Sequence, residues 1–362
     1  FVVHGNRVQI FSLNARRWFC LPPLPRENRN VCHSPESDGA YQSSPRDCTD
    51  WGIDPYDWWQ IDTVAVSEGT LFVLGGDKAE IHSFRNPSKP TNRVHKYDFC
   101  RNCWVSVSSM QVARSHAAAT SLGKSMMYVA GGSGNEEEGC SAECYDSEKN
   151  EWKPIPRMNT SMRTCVGLEH EGCFYVKGES REAEDHVDGE IFDPSECCWR
   201  KMSHGMKRGL ERGPIASCGR DLFVADWKDS VLKVYVQERD SWFVVTKLPA
   251  RISRLVGHSG YLYGLTGKVK VDPYNHQIIS DAPAEVWRLK LRESNTVTNS
   301  TMHYKLLETS SSSSNDEGEL FSGKLNCGDC KWECLWWDPK QMVKTGGLAW
   351  VPCIAHCTLF ED

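Results

Sequence analysis

Short apolar runs separated by polar turns recur along the chain at a spacing that suits strands better than helices. Runs at 63–66, 71–74, 94–97 and 104–107 read as four successive strands, and the order repeats at 117–120, 126–130, 142–145 and 152–155. The first unit offers only three, at 1–4, 8–11 and 18–21, so its inner strand must come from elsewhere in the chain. An aromatic residue stands seven positions before a Trp five times: Phe11 and Trp18, Tyr97 and Trp104, Tyr145 and Trp152, Phe192 and Trp199, Tyr235 and Trp242. The last four Trp follow one another at intervals of 48, 47 and 43 residues, the signature of a repeat architecture. Leu24, Met110, Met158 and Leu248 stand six residues after their Trp, and the Gly75-Gly76 and Gly131-Gly132 pairs each close an apolar run. Degeneracy is visible too. Gly178-Glu179 and Ala225-Asp226 occupy later Gly-pair positions, and the sixth unit has Trp287 at the aromatic position but Ser294 where its Trp belongs.

A hydrophobic run, a Gly pair, Tyr-Asp and a Trp six residues beyond the Asp together resemble the kelch repeat over nearly all of residues 1–307. The resemblance implies an all-β fold, a six-bladed kelch-type β-propeller with four antiparallel strands per blade. The repeated Trp are then expected to be buried between blades. The expected domain organisation is blades over 1–308, a Ser-rich acidic linker over 309–319, and a tail over 320–362 that packs on or closes the propeller, with a closing strand near 348–354. In such blades the second-to-third and fourth-to-first strand connections share one face. Nearly every long excursion (26–61, 77–93, 133–141, 180–188, 266–283) falls there, which marks it as the functional face.

The same face is expected to receive one Arg per blade, just before each inner strand: Arg114, Arg163, Arg212 and Arg254. In kelch domains resembling this one the matching Arg-Ser position contributes to a basic rim. Arg114-Ser115 and Arg163-Thr164 fit that pattern closely, Arg212-Gly213 and Arg254-Leu255 loosely. Guanidinium groups suit bidentate capture of carboxylate or phosphate, although Arg at these positions can equally cap strand ends or bond neighbouring loops. The 26–61 insertion sets Trp51, Tyr56, Trp58 and Trp59 among Asp residues, a mixture that serves either as interface anchors or as a plug folded into the channel. In the tail, Cys327, Cys330, Cys353 and Cys357, with His356 and Cys334 in reserve, are weak zinc candidates, because the spacing of the second pair is unusual. No cofactor is expected.

Composition narrows the partners. The 362 residues carry a mild net charge of -6 without a run of Lys or Arg, which disfavours nucleic acid and membrane surfaces, and no apolar stretch is long enough to span a bilayer. Seventeen Cys would suit a disulfide framework, but several sit in apolar strand segments where a free thiol acts as a small hydrophobe, so a reducing compartment is expected. Because the chain begins at Phe1 within a repeat, an upstream segment is expected. Val112-Ala113-Arg114-Ser115-His116, Asn150-Glu151-Trp152 and the opening run 16–25 are similar to plant F-box/kelch proteins. That family docks an Skp1-type adaptor through an N-terminal F-box and recruits a target through the ring. This implies a cytoplasmic or nuclear substrate receptor of a cullin-RING ubiquitin ligase whose target carries an acidic or phosphorylated segment. A kelch scaffold, actin-binding or BTB-linked, would use the same ring. A metal-dependent kelch enzyme is disfavoured: the one Glu-Asp pair at iron-site spacing, Glu184 and Asp188, has Phe192 where a His is needed.

Overall fold

The computed structural model describes residues 2–4, 7–22, 24, 59–60, 63–67, 69–78, 89–132, 136–180, 187–271, 278–291 and 331–336. The chain divides into two compact units, with the first boundary between Arg200 and Lys201. In the first unit, β1 (Val2–His4), β2 (Arg7–Ser12) and β3 (Arg17–Cys20) form a three-stranded antiparallel sheet. Next come β4 (Trp59–Gln60), β5 (Thr63–Ser67), β6 (Thr70–Leu74), β7 (Asp77–Lys78), β8 (Lys89–Pro90), β9 (Val94–Asp98) and β10 (Cys103–Val107). Strands β5, β6, β9 and β10 are a four-stranded meander, and β4, β7 and β8 a small ribbon beside it in sequence. A second meander is β11 (Ala118–Leu122), β12 (Met126–Ala130), β13 (Ala142–Asp146) and β14 (Glu151–Ile155), with the one-turn helix α1 (Glu136–Gly139) between its middle strands. A third is β15 (Met162–His170), β16 (Cys173–Ser180), β17 (Val187–Asp193) and β18 (Cys198–Lys201).

The second unit holds α2 (His204–Leu210), then the meander β19 (Ile215–Cys218), β20 (Asp221–Asp226), β21 (Val231–Val236) and β22 (Ser241–Lys247). Its last sheet orders β23 (Ile252–His258), β24 (Tyr261–Val271), β25 (Ile278–Lys290) and β26 (Trp332–Trp336). The outer strand of that sheet therefore comes from roughly forty residues beyond its partner, not from the neighbourhood of Ser294.

The seven-residue aromatic-to-Trp spacing has a plain cause. Two strands joined by a short hairpin place Phe11 opposite Trp18, Tyr97 opposite Trp104, Tyr145 opposite Trp152 and Tyr235 opposite Trp242. Their rings lie 5.0–5.3 Å apart, as do Phe192 and Trp199 at 5.1 Å, within the range where aromatic pairs attract beyond simple burial. Each hairpin turns through a left-handed residue such as Asn102, Asn150 or Asp240. The Tyr145 hydroxyl donates to Asn150 Oδ1 at 2.8 Å, Tyr97 donates likewise to Asn102, and Tyr235 to Asp240. The Asp following the aromatic then accepts turn N–H groups: Asp146 takes those of Glu148 and Lys149 at 3.1 Å. The indole N–H reaches out of the sheet, from Trp104 to Pro22 O at 2.8 Å, Trp152 to Ser108 O at 2.8 Å and Trp199 to Pro156 O at 2.7 Å. Each acceptor follows the outer strand of the preceding sheet, so one indole stitches two neighbouring sheets while its ring fills the space between them. Trp104 and Trp152 are buried, whereas Trp18, Trp199 and Trp242 are only half-buried.

Apolar clusters lie between successive sheets of the first unit. Leu71, Val73, Tyr97 and Trp104 meet Val8 and Leu21 of the first sheet, and Phe72, Leu74 and Val94 meet Ala119, Met127 and Val129 of the next meander. The Gly pair is required by this close approach. A Cβ on Gly75 would sit 2.1 Å from the carbonyl oxygen of Arg114, and Gly75 has φ +60.

The fold is thus all-β and built of propeller blades. Among the described residues there are five four-stranded sheets rather than the six expected, because the N-terminal sheet has three strands. The expected closing strand near 348–354 lies outside the described residues.

Candidate interaction surface

In every meander the antiparallel order brings the second-to-third and fourth-to-first connections to one end. Arg114 lies at that end in the first unit, and the structure corrects the expectation that it presents its charge to a partner. Its side chain is 1 % exposed. Nη1 donates to Gly131 O at 2.9 Å and Ser141 O at 3.0 Å, and Nη2 donates to Ser141 Oγ at 2.8 Å and Glu143 Oε1 at 3.1 Å. Burial pulls the guanidinium below its ordinary value, and the Glu143 carboxylate opposes that shift. Glu143 also accepts the backbone N–H groups of Gln111 at 2.7 Å and Val112 at 3.1 Å. Arg114 is therefore a tie between two connections of one blade. Ser115 is likewise fully buried, its carbonyl oxygen packed against Gly132.

The next sheet repeats the carboxylate but not the Arg. Glu190 accepts the N–H groups of Asn159 at 2.9 Å and Thr160 at 2.7 Å. Gly76 N–H bonds to Arg114 O, and Gly132 N–H bonds to Met162 O. Met162 is thus the counterpart of Arg114, and His116 and Thr164 share the next special position with φ of 53 and 52. Arg163 stands one residue out of phase. It is exposed, with Nε 3.2 Å from a Glu179 carboxylate oxygen, and exposed Thr164 is 3.4 Å from the same oxygen.

In the second unit the same end carries Arg212 and Arg254, both half-buried. Arg212 O accepts the N–H of Trp227 at 2.9 Å, and the Trp227 indole N–H donates to Ile252 O at 2.5 Å. Beside these bonds is a cleft of about 340 Å³ lined by Trp227, Lys228, Ser230, Leu248, Ala250 and Arg251. The Arg251 guanidinium lies over the Trp227 ring, 4.6 Å from its centre. Sequence reasoning missed Trp227 and Arg251. The available signal was a Trp immediately after Ala225-Asp226, where a Gly pair belongs.

A family model described as Kelch motif matches residues 63–111 and 113–159. These segments are the β5–β10 and β11–β14 sheets with their following connections. These two segments match the kelch motif. Several Arabidopsis thaliana proteins are homologous to it. F-box/kelch-repeat protein At1g16250 is 29% identical over 243 residues, covering 64% of this chain and 61% of that protein. F-box/kelch-repeat protein At1g67480 is 31% identical over 213 residues, 57% of this chain and 53% of its own length. F-box/kelch-repeat protein SKIP11 is 25% identical over 257 residues, covering 67% and 47%. The chain thus spans roughly half to three-fifths of the curated relatives it matches.

Of the remaining candidates, Trp58 lies outside the described residues, and Trp59 opens strand β4. Cys327, Cys330, Cys353 and Cys357 lie outside them too, while Cys334 is exposed on β26. Among the described residues, no three His, Cys, Asp or Glu side chains gather as metal ligands, and no helix is long and apolar enough to cross a membrane.

Proposed function

We propose that this kelch chain is the target-recognition part of a cullin-RING (SCF-type) ubiquitin ligase substrate receptor, acting in the cytoplasm or nucleus. The observation that carries the reading is the similarity to F-box/kelch-repeat proteins over 243 and 213 residues of the chain. The scaffold supports it. Hairpins and the indole bridges of Trp104, Trp152 and Trp199 join the sheets, and the Arg114–Glu143 pair ties one blade internally, a scaffold of the kind whose connections carry binding residues. In this reading an Skp1-type adaptor docks through an F-box on a longer protein, and the loop-bearing ends meet an acidic or phosphorylated target through Arg163, Thr164, Arg212, Arg254 and the aromatic segment at Trp58 and Trp59. A sixth blade, completed on the three-stranded sheet by a strand from another part of the protein, belongs to the same proposal, since pairing removes the exposed edge of that sheet.

Affinity capture with the full-length protein tests it. An Skp1-type adaptor is expected to co-purify in proportion to the bait, and a target should accumulate when the proteasome is blocked. Recovery of BTB-type or actin partners without the adaptor would assign the kelch chain to a scaffold instead.

A further inference from the structure

The four-residue turn after β20 is built to hold an indole at the surface. Asp226 is buried and accepts the N–H groups of Lys228 at 2.9 Å and Asp229 at 3.2 Å, so the turn folds around its carboxylate. Trp227 is pinned by its two N–H groups, through Arg212 O and Ile252 O, and yet the residue is 39% exposed, a large apolar group left to solvent while firmly positioned. The facing wall is Leu248 and Ala250, with the Leu248 N–H bonded to Ser230 O at 2.9 Å. Both sides of the cleft are therefore fixed before any ligand arrives, which lowers the entropic cost of binding.

Charge selects the ligand. Lys233 pairs with Asp226 at 2.7 Å and with Asp229 at 2.8 Å, which offsets one of the two carboxylate charges beside the turn. Lys228 and Arg251 remain as exposed cations on its lining, Arg251 held over the indole. Trp227, Leu248 and Ala250 together with two cations on the lining complement an apolar side chain flanked by carboxylates. The volume, about 340 Å³, is enough for one Leu- or Phe-sized side chain together with part of its backbone. A nucleic acid strand would need a longer stripe of cations than this pair provides.

We propose that the Trp227–Arg251 cleft is a peptide-binding site for an acidic segment, seating one apolar side chain between Trp227 and Leu248 while neighbouring Asp or Glu residues pair with Lys228 and Arg251. The proposal rests on the receptor reading above and names the part of the loop-bearing end that meets the target.

The test uses the full chain and a fluorescein-labelled, C-terminally amidated pentapeptide, Asp-Glu-Leu-Glu-Asp, read by fluorescence anisotropy at low salt. Saturable binding is expected, weakened about tenfold or more when Asn and Gln replace the acids, when Gly replaces the Leu, or when Arg251→Glu or Lys228→Glu is introduced. Trp227→Phe, which keeps a ring but loses the indole N–H, is expected to weaken binding less than Arg251→Glu. Absence of saturable binding, equal binding of acidic and neutral peptides, unchanged affinity in the charge-reversed proteins, or equal binding of an oligothymidylate would each overturn the site. Adaptor co-purification and target capture by Arg251→Glu separate the two proposals. A normal adaptor and target with no peptide binding by wild-type protein sinks the cleft alone, and peptide binding as expected without any adaptor sinks the receptor reading alone.

Discussion

Arg114 and Glu143 meet at 3.1 Å with side-chain exposures of 1% and 2%, so neither charge has solvent to fall back on. A buried pair of this kind contributes little when compared with an apolar replacement, but breaking it from one side leaves an uncompensated charge at a cost of about 3–5 kcal/mol. The neighbouring blade shows which side tolerates the loss, since Glu190 persists there with Met162 in the Arg position. Arg114→Met leaves Glu143 its two backbone N–H partners, whereas Glu143→Leu removes the carboxylate paired with the guanidinium and the acceptor of two amides. The Glu143→Leu protein is therefore expected to be the less stable of the two in urea denaturation. The reverse order would refute the assignment of Glu143 as the hub.

The hairpin turns offer a cleaner contrast. Asn150 has φ 54, accepts the Tyr145 hydroxyl at 2.8 Å and accepts the Ser108 N–H at 3.0 Å. Asn150→Ala loses both bonds and keeps a strained backbone, for an expected loss of about 2 kcal/mol. Asn150→Gly loses the same bonds but relieves the backbone, and is expected to recover roughly 1 kcal/mol of that. Equal thermal midpoints for the two variants would show that the hydrogen bonds alone matter.

Acid should weaken the first unit before its carboxylates titrate. His95 in β9 is 3% exposed, and burial, with the nearby Arg93 charge adding to it, lowers its pKa to about 4. Between about pH 6.5 and 4 the unfolded chain binds a proton that the folded chain does not, so stability present above 6.5 is lost as pH falls toward 4, up to about 3 kcal/mol. His170, held low by burial as well, acts in the same direction. His95→Leu is expected to flatten the decline in urea midpoint without abolishing it. An unaltered pH slope would exclude His95 as its source.

Truncation after Glu308 removes β26 and leaves β25 as an edge. Leu335 on β26 is 7% exposed, and the β26 backbone pairs with Val286, Trp287, Arg288 and Leu289. The truncated protein is expected to melt several degrees lower. A melting temperature matching the full chain would show that β26 contributes nothing to the second unit.

The blade pattern was legible because its most constant spacing, aromatic to Trp, is set by a short hairpin and survives every loop insertion. The Arg positions were misread by one residue. Arg114-Ser115 was matched to Arg163-Thr164 by likeness, although the 48-residue interval between Trp104 and Trp152 places Met162 under Arg114. Burial of Arg114 had no local signature, since Glu143 lies on another strand. The cleft at Trp227 was hidden for a similar reason: its wall, Leu248 to Arg251, comes from the next connection along the chain.

The separation between β25 and β26 also bears on when the last sheet is made. Every other described outer strand follows its partner through a hairpin, but this one pairs only once the roughly forty residues between β25 and β26 have been spanned. Loop-closure entropy grows slowly with length, so the penalty relative to a hairpin is only about 2 kcal/mol, yet it falls on the search rather than on the finished contact. The β25–β26 ladder is therefore expected to form last and open first, and those amides of Val286–Leu289 that bond to β26 should exchange with solvent deuterium sooner than those of β20.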